Sequence, residues 1–495
     1  MSHFHFNISK LWSEPHQFRW SGLIERQGQA RQRLGCLDDK QKLPRFVTNC
    51  PLTMQTIGWL RLLAWDRLPI DGRQWFGQEP VPITAYIAAF LVKVDQGIAT
   101  VSQLRRFLVQ HPPLIWALGF PLLPAGRTAG FDPELSLPSS RHMNRVLRQL
   151  PNELLQVLLD GLVAQVQARF PDEFGQTISM DTKHILAWVK QNNPKAYMKE
   201  GRFDKTQQPK GDPDCKLGCK RRHNRQVKTP ATEAKAASQT MIGIGELYWG
   251  YASGVVATKL PGWGEFVLAE LTQTFDKNDV SYFFPLMTQV EQRLGFRPRY
   301  GAFDAAYDAF YVYDYFYSDD HDGHHHDGGH HDGFAAVPFS EKGGHSTRQF
   351  DADGLPLCAA GLAMPLKFTY QDNTSTIIPY RRAKHVCPLL FPQPDGRSCP
   401  IHHKKWPAGG CATSLANTPG ARLRHQLDRD GEKYKAVYAQ RTAVERIFSQ
   451  ALNLGIERPK LRNRQAIANQ NTLIYILINL RTWQRVLTKL QEAHN

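Results

Sequence analysis

The sequence predicts an α/β protein in which a mixed sheet with helices follows an all-α N-terminal domain and is interrupted by a Cys-bearing insertion. Three observations carry this. Between residues 50 and 170 apolar side chains recur at steps of three and four, the period of an amphipathic helix. From 171 onward, short alternating runs rich in β-branched and aromatic residues appear, as strands require. Between 341 and 425 Pro, Gly and Cys break that rhythm, and helical spacing resumes over 426–495. The expected organisation is therefore a helical domain over 1–170, an α/β domain beginning over 171–340, an insertion over 341–425 and closing helices over 426–495.

A chain of 495 residues exceeds what one core organises at about 150 residues per domain, and its 42% hydrophobic content is that of a globular protein. Lys and Arg total 61 against 45 Asp and Glu, a formal charge of +16, which favours a polyanionic partner. The opening "MSHFHFNISKLWSEPHQF" lacks the basic and apolar regions of a secretory signal, and the apolar run "NTLIYILINL" is shorter than the roughly 18 residues of a membrane span. The expectation is a soluble, cytoplasmic, nucleoid-associated protein with no membrane partner. Eight cysteines in such a chain read as free thiols or metal ligands rather than a disulfide framework.

In order along the chain, "TMQTIGWLRLLAWDRLP", "PITAYIAAFLVKVDQG", "TVSQLRRFLVQHPPLIWALGF" and "RHMNRVLRQLPNELLQVLLDGLVAQVQARF" read as helices, with Arg105 and Arg106 on a polar face suited to DNA. "QTISMDTKHILAW" alternates as a strand and places Asp181 where an apolar residue is expected. A basic stretch follows, and within "KLGCKRRHNRQVK" Lys220, Arg221 and Arg222 are candidate phosphate contacts. "IGELYWGYASGVVAT" and "GEFVLAELTQTF" read as strands, "SYFFPLMTQVEQRLGF" as a helix, and "RPRYGAFDAAYDAFYVY" as a strand that ends at Asp304 and turns into a helix. "GFAAVPF" is a further strand. Three strands, a helix, a strand and a helix form the opening order of a ribonuclease H-like α/β domain, in which Asp181 and Asp304 come side by side. Asp308 and Asp314 are alternatives, directed down the following helix.

Near the C-terminus, "YAQRTAVERIFSQ" reads as a helix carrying Tyr438, Arg441 and Glu445 on one face. Carboxylates held on rigid elements suit Mg²⁺ or Mn²⁺, and two such ions about 3.5–4 Å apart serve in-line phosphodiester chemistry. Asp181, Asp304 and Glu445 are the candidate catalytic and metal-binding residues, and Tyr438 and Arg441 candidate DNA contacts.

"ISMDTK", "GAFDAAYD" and "YAQRTAVERIFSQ" resemble the three acidic motifs of bacterial insertion-sequence DDE transposases, and Tyr438-x2-Arg441-x3-Glu445 is similar to the tyrosine–arginine–glutamate signature of one branch. The resemblance spans roughly 175–485. It implies a ribonuclease H-like catalytic domain, two Mg²⁺ (or Mn²⁺) ions, recognition of terminal inverted repeats in double-stranded DNA, and a homodimer or higher multimer on that DNA. The lysine that some members carry seven residues after the glutamate is replaced by Leu452, with Lys460 a candidate substitute. A metal-dependent nuclease without strand transfer, and a non-catalytic DNA-binding protein, are the rival readings.

Cys358, Cys387, Cys399 and Cys411 all fall in the insertion, beside His385, His402 and His403, and are candidate ligands of a structural Zn²⁺. Cys215, Cys219 and His223 are a weaker set, because Gly and Pro interrupt their helical spacing. The tract "SDDHDGHHHDGGHHD" reads as a solvated loop.

Overall fold

The computed structural model describes residues 43–68, 81–124, 130–193, 201–220, 246–317, 333–340, 348–374 and 377–493. Arg221, Arg222, His223 and the His/Asp tract at 318–332 lie outside the described residues.

The first third is helical among the described residues, as expected, and includes α1 (Pro51–Leu60), α2 (Ile83–Asp95), α3 (Val101–Gln110), α4 (Ser140–Gln149) and α5 (Asn152–Arg169). Local chemistry fixes their starts. Thr100 and Gln103 form a reciprocal capping box on α3, and Pro51 opens α1 where no backbone donor is needed. Arg105 does not face outward as a free DNA contact. Its guanidinium bonds the carbonyls of Pro138 and Glu134 and pairs with the Glu134 carboxylate at 2.6 Å, tying α3 to the segment before α4.

Among the described residues, six strands form one mixed sheet: β1 (Thr177–Leu186), β2 (Lys216–Lys220), β3 (Glu246–Leu260), β4 (Gly264–Thr274), β5 (Tyr300–Ala302) and β6 (Phe334–Ala336). Strand β3 pairs antiparallel with β1 on one side and with β4 and β2 on the other, while β1–β5 and β5–β6 are parallel. Helix α6 (Phe283–Leu294) leads into β5 and stops at Gly295, whose φ of 74° suits the left-handed cap. Helix α7 (Phe310–Phe316) follows β5.

Helices cover both faces, and neighbouring β3 residues show it. Ser253 hydrogen-bonds Tyr475 at 2.9 Å on one face, whereas a side chain on Gly254 would strike the Tyr282 ring on the other. Tyr475 belongs to α11 (Arg464–Glu492), whose start is capped by the Asn463 side chain. This helix also runs along β4, where the Asn479 amide bonds both the N–H and the C=O of Val267 at 2.8 Å each.

Helix α11 also packs on α2, α4 and α5, so the helical first third and the sheet share one continuous hydrophobic core. Buried Lys93 of α2 reaches Gln470 of α11 at 3.0 Å.

The region read as an irregular insertion contains a second, antiparallel sheet of β7 (Leu366–Asp372), β8 (Tyr380–Val386) and β9 (Ala412–Ala416). Beyond it come α8 (Gly420–Gln426), α9 (Glu432–Ala439) and α10 (Thr442–Asn453). The expected single helix across 438–450 is therefore divided at Gln440–Arg441. There the N–H groups of Gln440 and Arg441 bond carbonyls three residues back, tightening the turn. No described helix is long and apolar enough to cross a membrane.

Candidate active site

Strand register brings the two aspartates together. In the parallel β1–β5 ladder Ser179 stands opposite Ala302, and Asp181 and Asp304 each lie two residues beyond that pair. Asp181 therefore lies midway along β1, level with Asp304, which stands two residues past the end of β5. Asp181 accepts the Thr182 N–H at 2.7 Å; Asp304 caps the turn at Ala305–Tyr307 by accepting the Ala306 N–H at 2.8 Å.

Glu445 arrives from the other end of the chain. The N–H of Val444, in the first turn of α10, donates 3.2 Å to the hydroxyl of buried Ser179, two residues before Asp181. Val444, Ile447 and Ala451 are buried, and α10 packs on β1, β3 and β4. Asp181 and Glu445 line one cleft of about 470 Å³ with Lys183, His184 and Lys220.

The electrostatics are those of crowded negative charge. Burial, then the charge of Asp304, push the Asp181 carboxyl up to about 7, with Asp279 adding to the effect and Arg441 opposing it. Asp279 is a further acidic group here, accepting the Thr182 hydroxyl at 2.6 Å. Burial also raises the Tyr307 phenol well above its ordinary range, followed by Asp181, Asp279 and Asp304. Its hydroxyl is buried and has no hydrogen-bond partner.

Arg441 is the main counter-charge. It bonds Glu445 at 2.7 Å, and its guanidinium lies 5.9 Å from the Tyr438 ring centroid. Burial works against this charge, but Glu445, Tyr438 and Asp181 outweigh it and hold the guanidinium above its usual range. Tyr438 itself stacks on Tyr434 with centroids 5.8 Å apart. Among the described residues no group of three or more His, Cys, Asp or Glu side chains is already gathered to hold a metal, and Glu445 is engaged by Arg441 instead.

The alternatives to Asp304 are committed elsewhere. Asp308 is held by Arg424 through two bonds of 2.6 and 2.5 Å, by Tyr313 and by the Ser340 N–H, and its side chain is fully buried. Asp314 accepts the Gly420 N–H at 2.5 Å. In the weaker thiol set, Cys215 is buried with its thiol on the Asp212 carbonyl, while Cys219 is exposed on β2.

Sequence reasoning missed Asp279, Tyr307, His184 and Arg458. Asp279 sits in "DKNDVSY", where an acidic residue before a helix reads as a helix-start signal. His184 shares strand β1 with Asp181 and packs 4.5 Å from the Phe275 ring; burial lowers it to about 4, keeping a neutral imidazole in the cleft. Leu452 lines the cleft beside Arg458, so the nearby base facing it is Arg458, while Lys460 is exposed outside the cleft lining. The chain matches no protein-family model and no curated protein.

Proposed function

We propose that the protein is a DDE transposase with a ribonuclease H-like catalytic domain, cleaving the ends of its own insertion sequence and joining the 3′-hydroxyl to target DNA. One observation carries the reading: parallel register sets Asp181 beside Asp304, and the Val444–Ser179 bond brings the helix of Glu445 to the same strand. The order β4–β3–β1–β5–β6, antiparallel on one side of β1 and parallel on the other, supports the ribonuclease H-like assignment.

The donor set fits Mg²⁺ or Mn²⁺. It consists of hard carboxylate oxygens, and mutual repulsion and burial leave Asp181 short of neutralising charge. Asp181, Asp304 and Glu445 would hold two such ions, which when bound activate an attacking oxygen and stabilise a leaving one. Arg441 supplies a planar cation for a phosphate at the cleft edge, Tyr438 flanks it, and Lys183, Lys220 and Arg458 add positive charge for a DNA backbone. The net charge of +16 favours a polyanionic partner; under this reading it is double-stranded DNA, on which the protein acts as a dimer or higher multimer.

The test is incubation with labelled duplexes bearing the inverted repeats that flank the gene, in Mg²⁺. Strand-transfer products that vanish in Asp181→Asn, Asp304→Asn and Glu445→Gln are expected. Cleavage without joining would reassign the protein as a nuclease, and salt-sensitive binding without cleavage as a DNA-binding protein only.

A further inference from the structure

The small lobe around β7, β8 and β9 raises a physical problem. Met364, Ala383, Cys387, Leu389 and Cys399 are buried in it, yet none belongs to the main hydrophobic core. Leu366 and Phe368 on β7 are each 45% exposed. A lobe with so little apolar interior needs another source of cohesion.

The cysteines are where its segments meet. In the β8–β9 ladder Val386 pairs with Ala412, so Cys387 and Cys411 flank the last pair directly. Close approach there depends on Gly410, at φ 82°: a Cβ on it would lie 2.7 Å from the Cys387 Cβ and 3.3 Å from its Sγ. Cys358 begins a tight turn in which the Gly361 N–H bonds its carbonyl, and the chain runs from there into Pro365, whose carbonyl accepts the Val386 N–H. Thus residues 53 positions apart, Cys358 and Cys411, come to one end of the sheet.

Cys399 is buried on the connection between β8 and β9. Its Sγ accepts the His403 N–H at 3.5 Å and its carbonyl accepts the His402 N–H, with His402 at a φ of 47°. The neighbouring histidines each have a ring nitrogen in use: His385 on the Met364 carbonyl and His403 on the Lys405 N–H.

We infer that this lobe is a structural zinc site, with Cys358, Cys387 and Cys411 as three ligands at the sheet end and Cys399 closing a tetrahedral set. Four soft thiolates without an open position suit Zn²⁺ in a purely structural role. Among the described residues the four sulfurs are not gathered into a closed set, and binding of zinc would draw them together. The inference is independent of the proposed transposition chemistry, since it concerns only the cohesion of this lobe.

The experiment uses the full chain purified without an affinity tag that binds metals. Elemental analysis is expected to give one zinc per chain, falling at least tenfold in Cys387→Ser/Cys411→Ser. If that variant fails to fold, wild-type protein stripped by a chelator and titrated with Co²⁺ should develop the intense sulfur-to-cobalt absorption of a tetrahedral thiolate site. Protease cleavage within 348–420 should slow on adding zinc back. Zinc-free protein whose four thiols react freely in the presence of Zn²⁺ would overturn the inference. So would zinc that persists in the double variant and disappears on deletion of 318–332.

Discussion

The Val444 N–H donates to the Ser179 hydroxyl across 265 residues of chain, joining the first turn of the helix that bears Glu445 to the strand that bears Asp181. This contact lies outside the acidic cleft and sets its spacing. Ser179→Ala is expected to cost about 1 kcal/mol of stability, the net worth of one buried hydrogen bond. It should also lower Mg²⁺-dependent cleavage more than DNA binding. Melting curves and cleavage rates check this; unchanged cleavage at equal stability would show that α10 is held by packing alone.

Arg441 bonds Glu445 and lies within electrostatic reach of Asp181, so its positive charge would compete with a divalent cation held there. Arg441→Gln is expected to tighten Mn²⁺ binding several-fold while weakening binding to DNA ends, because one counter-charge serves both purposes. Calorimetric titration and gel shifts measure the two effects. Unchanged cation affinity in this variant would place Arg441 outside the cation's field, and a fall would mean that Arg441 supports the site rather than competing for it.

Asp308 and Asp304 stand four residues apart and have opposite expected phenotypes. The Asp308 side chain is fully buried and that of Arg424 is 16% exposed, so Asp308→Ala strands a largely buried guanidinium. A loss of about 3–5 kcal/mol is expected, with cleavage retained below the lowered melting temperature. Asp304→Asn should leave the melting temperature nearly unchanged and abolish cleavage. Reversal of these outcomes would exchange the two roles.

Glu270 on β4 is buried against Gln156 and Thr472, with one carboxylate oxygen lacking a hydrogen-bond partner. Burial raises it from 4.5 to about 6. The folded state therefore holds this proton more tightly than the unfolded state. Its contribution to stability is complete below pH 4.5 and is lost as pH rises through 6. Glu270→Gln should gain about 2 kcal/mol relative to wild type at pH 7, and the gain should shrink toward zero near pH 4. Denaturant melts across that range check the slope; a pH-independent difference would mean that folding leaves the Glu270 carboxyl at its unfolded value.

What was legible in the sequence was the part governed by local pattern. Asp181 announces itself as a carboxylate inside an alternating strand, and Asp304 as one at a strand end before a helix. The α/β character and the helical first third follow from the same periodicities. Long-range packing was not legible. Helix α11 is buried over most of its length, and periodicity alone does not say that it serves both the sheet and helices α2, α4 and α5. Strand β7, "LKFTYQD", does alternate apolar Leu366, Phe368 and Tyr370 with polar residues, but the Pro, Gly and Cys around it mask that signal, while β8, "YRRAKHV", is largely polar and carries no apolar alternation. The break at Gln440–Arg441 is a change of hydrogen-bond step with helical dihedral angles on both sides, which residue type does not reveal.

The Asn479 amide, spent on both backbone groups of Val267, has a consequence beyond holding α11 to β4. It blocks an outer strand from recruiting a strand of another molecule, the first step of intermolecular sheet growth. A chain ending before 464, as a premature stop codon would produce, loses that shield and is expected to precipitate on synthesis. Any self-association on DNA must then proceed through other surfaces, leaving this margin of the sheet closed.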